Sequence, residues 1–198
     1  MNKPVFLLDI DDTLNDFSTS FIKEVERQGY KFDYKHYNDW DIARFIIGVE
    51  DPDKLMSDIC EKLSFWKSLN PVPYAYDVLK EVINDQFDII LVTSPWIENS
   101  KHRKVKSEWI KNNFGFLRKK PIIFSKEKWS IAGPIIMDDK PKTLKSCYIC
   151  KITIKPMHPY NKNVLSNYEF KSWKEVPGII KSLKKDYHDY LFGDDGRD

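Results

Sequence analysis

The sequence predicts an α/β fold that is built on a parallel β-sheet. Buried-strand patterns alternate with amphipathic helix patterns along most of the 198 residues, the order expected of right-handed β-α-β units. Short polar clusters follow three of the predicted strands, and an aromatic-rich segment interrupts the alternation at residues 30–70. Hydrophobic residues make up 41% and charged residues 31% of the chain, a composition that excludes a largely disordered protein.

The first strand and helix begin the alternation. Residues 5–9 indicate a buried strand, because an apolar run is followed directly by an Asp-Asp-Thr turn signal. Residues 16–28 predict a helix, since apolar side chains recur every four positions from Phe17 and Gly29 ends the pattern. A strand, an acidic turn and a helix are the usual opening of an α/β protein.

Residues 30–70 predict a small helical insertion. Aromatic and charged residues alternate there, and a Pro-Val-Pro sequence that begins at Pro71 closes the segment. We therefore expect an α/β core at residues 1–29 and 71–198, with residues 30–70 as a small helical cap.

The alternation resumes after this insertion. Apolar patterns predict helices at residues 75–84, 101–113 and 173–187, and strands at residues 87–92, 121–124, 134–137 and 150–154. In such sheets the functional loops gather at the carboxyl ends of the strands.

Positive charge is concentrated in one segment. Residues 101–128 hold ten basic and two acidic residues, a local charge of +8, whereas the whole chain has a net charge of +2. The segment is either a solvated surface or a region that attracts a phosphate-bearing partner.

Three predicted strands end in polar clusters, which should meet at one edge of the sheet. Neighbouring carboxylates repel one another and favour a bound cation, and oxygen-only ligands favour Mg²⁺. An aspartate that is both ligand and nucleophile, helped by a second aspartate two residues on, suits phosphoryl transfer. The clusters are Asp9-Ile10-Asp11-Asp12-Thr13, Thr93-Ser94 and Asp138-Asp139.

With Lys128, these clusters resemble the four motifs of the haloacid dehalogenase (HAD) superfamily of phosphatases. The sequence is most similar to the 5'(3')-deoxyribonucleotidase family within it. Shared features are Asp-x-Asp-x-x-Leu-x-x-Phe from Asp9 to Phe17, Thr-Ser-Pro from Thr93, Lys-x-x-Trp from Lys106, Phe-Gly at Phe114, Asp-Asp-Lys-Pro from Asp138, Pro-x-Pro at Pro71 and Ser172-Trp173. The resemblance implies a Rossmann-like three-layer sandwich with a small helical cap.

The resemblance also implies the catalytic roles. Asp9 would attack phosphorus and Asp11 would serve as acid and base. The carboxylates of Asp9 and Asp138 and the backbone carbonyl of Asp11 would hold Mg²⁺, and Asp139 would orient metal-bound water or Lys128. Thr93 and Ser94 would bind phosphoryl oxygens, and Lys128, with Lys126 as the alternative, would neutralise charge.

Three further residues are candidate substrate ligands. Phe17 would face the nucleobase, although its spacing from Phe21 also fits core packing. Trp40, like Phe65 and Trp66, is either cap core or a base contact. Lys106 is either one cation on a basic helix or, as the resemblance implies, a residue near the substrate phosphate.

The sequence leaves more than one function open. The first is a Mg²⁺-dependent phosphatase that acts on deoxyribonucleoside monophosphates through an aspartyl-phosphate. The alternative, suggested by the basic segment, is a nucleic-acid end-repair phosphatase or binder of the same fold. Nucleic acid is disfavoured because one basic segment gives too few phosphate contacts for a long duplex. A catalytically silent binding module is disfavoured because Asp9 and Asp11 are both present.

The remaining expectations concern location and assembly. The N-terminal residues lack a signal-peptide pattern, and the apolar runs are shorter than a membrane helix needs. We expect a cytoplasmic protein that has no membrane partner, with a homodimer as an open option. Cys147 and Cys150 have redox-motif spacing, but the apolar run between them predicts reduced cysteines in a strand.

Overall fold

The computed structural model describes residues 3–96, 100–148 and 151–192. The strands are β1 (Val5–Leu8), β2 (Lys31–Phe32), β3 (Ile46–Ile47), β4 (Asp88–Thr93), β5 (Ile122–Phe124), β6 (Ile135–Met137), β7 (Ile152–Pro156) and β8 (Tyr168–Phe170). The helices are α1 (Phe17–Arg27), α2 (Pro52–Cys60), α3 (Leu63–Ser68), α4 (Ala75–Val78), α5 (Ser100–Asn113), α6 (Pro141–Cys147), α7 (Val176–Asp186) and α8 (His188–Phe192). A π-helical turn, Leu79–Ile83, continues α4, and short 3₁₀ turns include Lys128–Ser130 and Pro159–Asn161.

Six strands form one parallel sheet in the order β5-β4-β1-β6-β7-β8. Strand β1 lies between β4 and β6, and its last residue, Leu8, pairs with Leu91 and Met137. The carboxyl ends of these three strands therefore meet at one edge, where the predicted polar clusters begin. This sheet confirms the predicted α/β class.

Both faces of the sheet are covered, which gives three layers. Phe6 and Leu8 of β1 belong to the main core, whereas Leu7 belongs to a second, smaller core. Because successive side chains of a strand point to opposite faces, the two cores lie on opposite sides of the sheet. Cys147 of α6 packs in the smaller core with Leu7, and α1, α5 and α7 supply residues to the larger one.

Residues 30–70 are not wholly helical, which corrects the sequence prediction. The segment contains α2 and α3, and it also contains β2 and β3, which pair antiparallel. These strands have two residues each, too short to give an alternating pattern. Three hydrogen bonds between Asp16 and Asn70 hold the end of the segment to the loop after β1. The Asn70 amide donates to Asp16 Oδ1 (2.8 Å), Asn70 Nδ2 donates to Asp16 Oδ2 (3.1 Å) and the Asp16 amide donates to Asn70 O (3.0 Å).

Strand β8 and helices α6 and α8 were not predicted, and one cysteine was misplaced. Strand β8 has only three residues, and helix α6 has seven and begins at Pro141, the first helical position where proline is favoured. The prediction of a strand cysteine is wrong for Cys147, which is the last residue of α6 and is buried. Cys150 lies outside the described residues. Within the described ranges, no helix is long and apolar enough to cross a membrane.

Candidate active site

Three buried carboxylates lie together at the edge where β1 and β6 end. Asp9 follows β1, Asp138 and Asp139 follow β6, and one carboxylate oxygen from each lies within 4.8 Å of the others. The Asp9 amide donates to Met137 O (3.0 Å), so the parallel ladder itself holds the two loops side by side. An all-oxygen group of this kind matches the ligand preference of Mg²⁺.

Lys128 is the cation that the fold places among these carboxylates. It begins a 3₁₀ turn and is buried, with Nζ 2.6 Å from Asp9 Oδ1 and 2.9 Å from Asp138 Oδ2. Burial by itself would lower the pKa of Lys128, but the carboxylates of Asp138 and Asp9 raise it above its usual value. Lys126, the alternative, is exposed and lies at the cavity wall.

The cluster holds more negative than positive charge. Burial raises the pKa of Asp138 to about 6, and the attraction of Lys128 offsets this only in part. The pKa of Asp139 is raised well above its usual value, first by burial and then by the charges of Asp9 and Asp138. One ammonium therefore does not compensate three carboxylates, and a divalent cation suits this site.

Asp11 is held on the other side of the turn by Lys106. The ammonium of Lys106 contacts Asp11 Oδ2 and donates to Thr93 Oγ1 and to Ser94 O, each at 2.9 Å. Asn15 Nδ2 donates to Asp11 Oδ1 at 3.0 Å. Although helix α5 is predominantly basic, Lys106 is only 3% exposed, so this lysine belongs to the site and not to a solvated helix face.

A cavity of about 530 Å³ opens beside these groups, a size typical of small-molecule sites. Of the predicted site residues, Asp9, Asp11, Phe17, Trp40, Ser94, Lys128 and Asp139 line it. Thr93, Lys106 and Asp138 lie behind this wall and are buried. The Thr93 hydroxyl accepts from Lys106, so in this structure it supports the site from behind, whereas Ser94 reaches the cavity.

Aromatic side chains form another part of the cavity wall. Phe17 stacks on Trp66 with ring centroids 5.5 Å apart and an interplanar angle of 21°, and both line the cavity. Phe65 packs edge-on against Phe17 at 5.9 Å and lies in the core. Trp40 is 47% exposed at the rim. Phe17 and Trp66 are therefore core and cavity wall at once, and Phe65 is core.

The rim also carries cations. The Lys140 ammonium lies 4.1 Å from the centre of the Trp40 ring, a cation-π contact that joins the 30–70 segment to the loop after β6. Lys126 and Lys142 line the same cavity. Lys140 was included in the Asp-Asp-Lys-Pro motif of the sequence without being given a role, and Lys142 was not singled out.

Three residues of the site were given no role from the sequence: Asp12, His158 and Tyr160. Asp12 is buried and has a left-handed backbone conformation, with φ of +54°, and its carboxylate accepts from the Ser18 amide at 2.7 Å. His158 and Tyr160 also contact Asp12, although they lie 146 and 148 residues further along the chain. Asp12 could have been found from its place in the motif, but Tyr160 and His158 have no local signal.

Comparison with known proteins defines the class first. The chain is similar to a solved HAD-superfamily hydrolase from Ehrlichia chaffeensis, with a TM-score of 0.52 at 17% identity over 92% of this chain and 98% of that one. The protein therefore has the HAD hydrolase fold.

The family follows from the sequence. The model of the family described as "5' nucleotidase, deoxy (Pyrimidine), cytosolic type C protein" matches residues 3–186, and the chain belongs to this family. It is 29% identical to the 5'(3')-deoxyribonucleotidase of Clostridium acetobutylicum, over 93% of this chain and 98% of that protein. It is 25% identical to the human 5'(3')-deoxyribonucleotidase, cytosolic type, over 68% of this chain and 69% of that protein. The predicted family and the prediction of a phosphoric monoester hydrolase are confirmed.

Proposed function

We propose that the protein removes the phosphate from deoxyribonucleoside monophosphates. The observation that carries the proposal is the buried carboxylate cluster of Asp9, Asp138 and Asp139, which opens onto a cavity walled by Phe17 and Trp66. With a divalent cation bound, the cluster suits a phosphate. The aromatic wall suits a base. Relatives named 5'(3')-deoxyribonucleotidase support the same substrate class.

The side chains of this chain divide the reaction into two steps. In the first, Asp9 attacks phosphorus to form an aspartyl-phosphate while Asp11 gives a proton to the leaving sugar oxygen. In the second, Asp11 takes a proton from water, the oxygen of this water attacks phosphorus, and the bond to Asp9 breaks to release phosphate. Lys128 neutralises charge on Asp9 throughout, and Ser94 binds a phosphoryl oxygen.

Mg²⁺ fits the donor set, because the three buried carboxylates offer only oxygen ligands and Lys128 pairs with just two of them, Asp9 and Asp138. We propose that Asp9, Asp138 and the backbone carbonyl of Asp11 hold the ion and that Asp139 orients its water. When bound, the ion would supply positive charge that offsets the phosphate and the carboxylates. Because Lys128 pairs with both Asp9 and Asp138, it keeps these two carboxylates close enough together to bind the same ion.

The structure weakens the argument for a nucleic-acid substrate. Of the ten cations in residues 101–128, Lys106 and Lys128 are buried in the site and pair with Asp11 and Asp9. The exposed basic surface is therefore smaller than the charge of +8 suggests. We propose that the substrate is a small nucleotide and that the protein acts in the cytoplasm. The human relative is named a cytosolic type.

A substrate panel tests this proposal. We expect a deoxyribonucleoside monophosphate to give a higher kcat/KM than its ribonucleotide counterpart, a 5'-phosphorylated oligonucleotide or p-nitrophenyl phosphate, measured by phosphate release.

Chelation of Mg²⁺ should abolish all four rates, and Mg²⁺ should restore them. Preference for the oligonucleotide would favour end repair, and full activity after exhaustive chelation would exclude the metal-dependent mechanism.

Phe17→Ala should separate binding of the base from binding of the phosphate. Stacking on an aromatic wall contributes about 1–3 kcal/mol per base, so we expect KM for the deoxynucleotide to rise by roughly 5- to 150-fold. Hydrolysis of p-nitrophenyl phosphate, which has no nucleobase, should change little. The conservative Phe17→Tyr variant is the matched control and should keep most of the affinity. Equal losses on both substrates would show that Phe17 acts only through packing.

A further inference from the structure

The 3₁₀ turn Pro159–Asn161 holds both ends of Asp139. The Tyr160 hydroxyl donates to Asp139 Oδ2 at 2.6 Å. Asn161 Nδ2 donates to the main-chain oxygen of Asp139 at 2.9 Å. Since one short turn fixes both the carboxylate and the backbone of Asp139, the direction of this side chain is set from outside the cluster.

The same turn also contacts the loop that carries the nucleophile. His158 Nε2 lies 2.8 Å from Asp12 O, and the Tyr160 oxygen lies 3.3 Å from Asp12 Oδ2. The rings of His158 and Tyr160 stack, with centroids 5.1 Å apart and an interplanar angle of 4°. A phenol has one proton, and the shorter distance assigns it to Asp139. Tyr160 therefore joins the loops after β1 and β6 and gives its proton to only one of them.

A buried lysine fixes the turn from behind. Lys155 of β7 is 1% exposed, and its ammonium donates to Asn161 O (3.0 Å) and Val164 O (2.6 Å). It also pairs with Glu169 of β8 at 3.2 Å. The turn is thus tied to two strands of the sheet, so the position of Tyr160 is determined by the core and not by a loose surface loop.

We propose that Tyr160 is a positioning residue that aims Asp139 at the cation and thereby sets the affinity of the site for Mg²⁺. The inference rests on the proposed Mg²⁺-dependent function. Tyr160 is buried, so packing holds its hydroxyl in one place as a donor to Asp139. Groups that orient metal ligands or their waters by hydrogen bonds change metal affinity or activity by about 10- to 100-fold when they are removed.

Tyr160→Phe tests the inference, because it removes the hydroxyl and keeps the ring. We expect the Kd for Mg²⁺, measured by calorimetry on protein without nucleotide, to rise by about 10- to 100-fold. KM for the nucleotide at saturating Mg²⁺ should stay within about threefold, since Tyr160 acts on Asp139 and not on the base. Tyr37→Phe is the matched control: the Tyr37 ring packs 5.8 Å from that of Tyr160, and its hydroxyl contacts Ser18. Its Kd for Mg²⁺ should be unchanged.

A double-mutant cycle with Asp139→Asn separates positioning from general packing. If Tyr160 acts through the Asp139 carboxylate, Tyr160→Phe should weaken Mg²⁺ binding much less in the Asp139→Asn background than in the wild type. Equal effects in both backgrounds, or an unchanged Kd in Tyr160→Phe, would overturn the inference. A wild-type protein that binds no Mg²⁺ would instead contradict the proposed function.

Circular dichroism with and without Mg²⁺ gives a second measurement. If Tyr160→Phe folds only when Mg²⁺ is added, the concentration needed reports its affinity by linkage, and it should exceed that of the wild type. A variant that stays unfolded at saturating Mg²⁺ would make Tyr160 a purely structural residue and would also overturn the inference.

Discussion

Asp9→Asn should lose phosphatase activity by about 10³-fold or more and remain folded. An amide is a poor nucleophile, so no aspartyl-phosphate should form at this position, and loss of the group that makes the covalent intermediate has effects of this size in other enzymes. The amide has the shape of the carboxylate and retains an oxygen that can face Lys128, which still pairs with Asp138. The loss should therefore appear in kcat, measured by phosphate release, while the circular dichroism spectrum stays that of the wild type.

The covalent step can be followed separately from turnover. Wild-type protein given ³²P-labelled substrate and quenched in acid should retain label that hydroxylamine removes, and Asp9→Asn should retain none. Asp58→Asn, which changes a surface carboxylate paired with Lys54, is the control and should behave as the wild type. Labelling or turnover at wild-type levels in Asp9→Asn would disprove the nucleophile assignment; mass spectrometry must first exclude deamidation of the introduced amide back to the carboxylate.

The parts of the fold that could be predicted are those with a strong local pattern. Strand β1 has a continuous apolar run, and helix α1 has apolar residues at helical spacing from Phe17. Both elements lie close to their predicted bounds. Strands β2 and β3 have two residues each and derive their stability from contacts outside their own sequence. Such pairing depends on residues far apart in the chain, which no local pattern reports.

The candidate site shows the same division. Motif residues such as Asp9 and Asp138 were predicted because they follow strands that the topology brings to one edge. Pairing of Lys106 with Asp11 joins residues 95 positions apart, and resemblance only placed Lys106 near the substrate phosphate. Tyr160 could not be predicted at all, since a tyrosine after a strand resembles ordinary core and its significance depends on the 2.6 Å contact with Asp139.

Lys128→Met should cause the largest loss of stability of any single change at the site. It removes the ammonium that lies 2.6 Å from Asp9 and 2.9 Å from Asp138, and all three side chains are buried. Removing one partner of a buried ion pair costs about 3–5 kcal/mol, because the remaining charge has no compensation. We expect a decrease of this size in the free energy of unfolding of the metal-free protein at pH 8, measured with urea, and a large loss of kcat.

The pH dependence of this loss identifies its cause. Without Lys128, the pKa of Asp138, already raised to about 6 by burial in the wild type, should rise further, so the folded state binds protons more tightly than the unfolded chain does. Stability then increases as pH falls, and the deficit of Lys128→Met should be smaller at pH 5 than at pH 8. Mg²⁺ should also reduce the stability deficit at pH 8, since the ion supplies the missing positive charge.

Lys126→Met, at an exposed lysine of the same cavity, should lose less than about 0.5 kcal/mol of stability at either pH. A deficit in Lys128→Met that does not vary with pH or Mg²⁺ would show that the loss comes from packing and not from uncompensated charge.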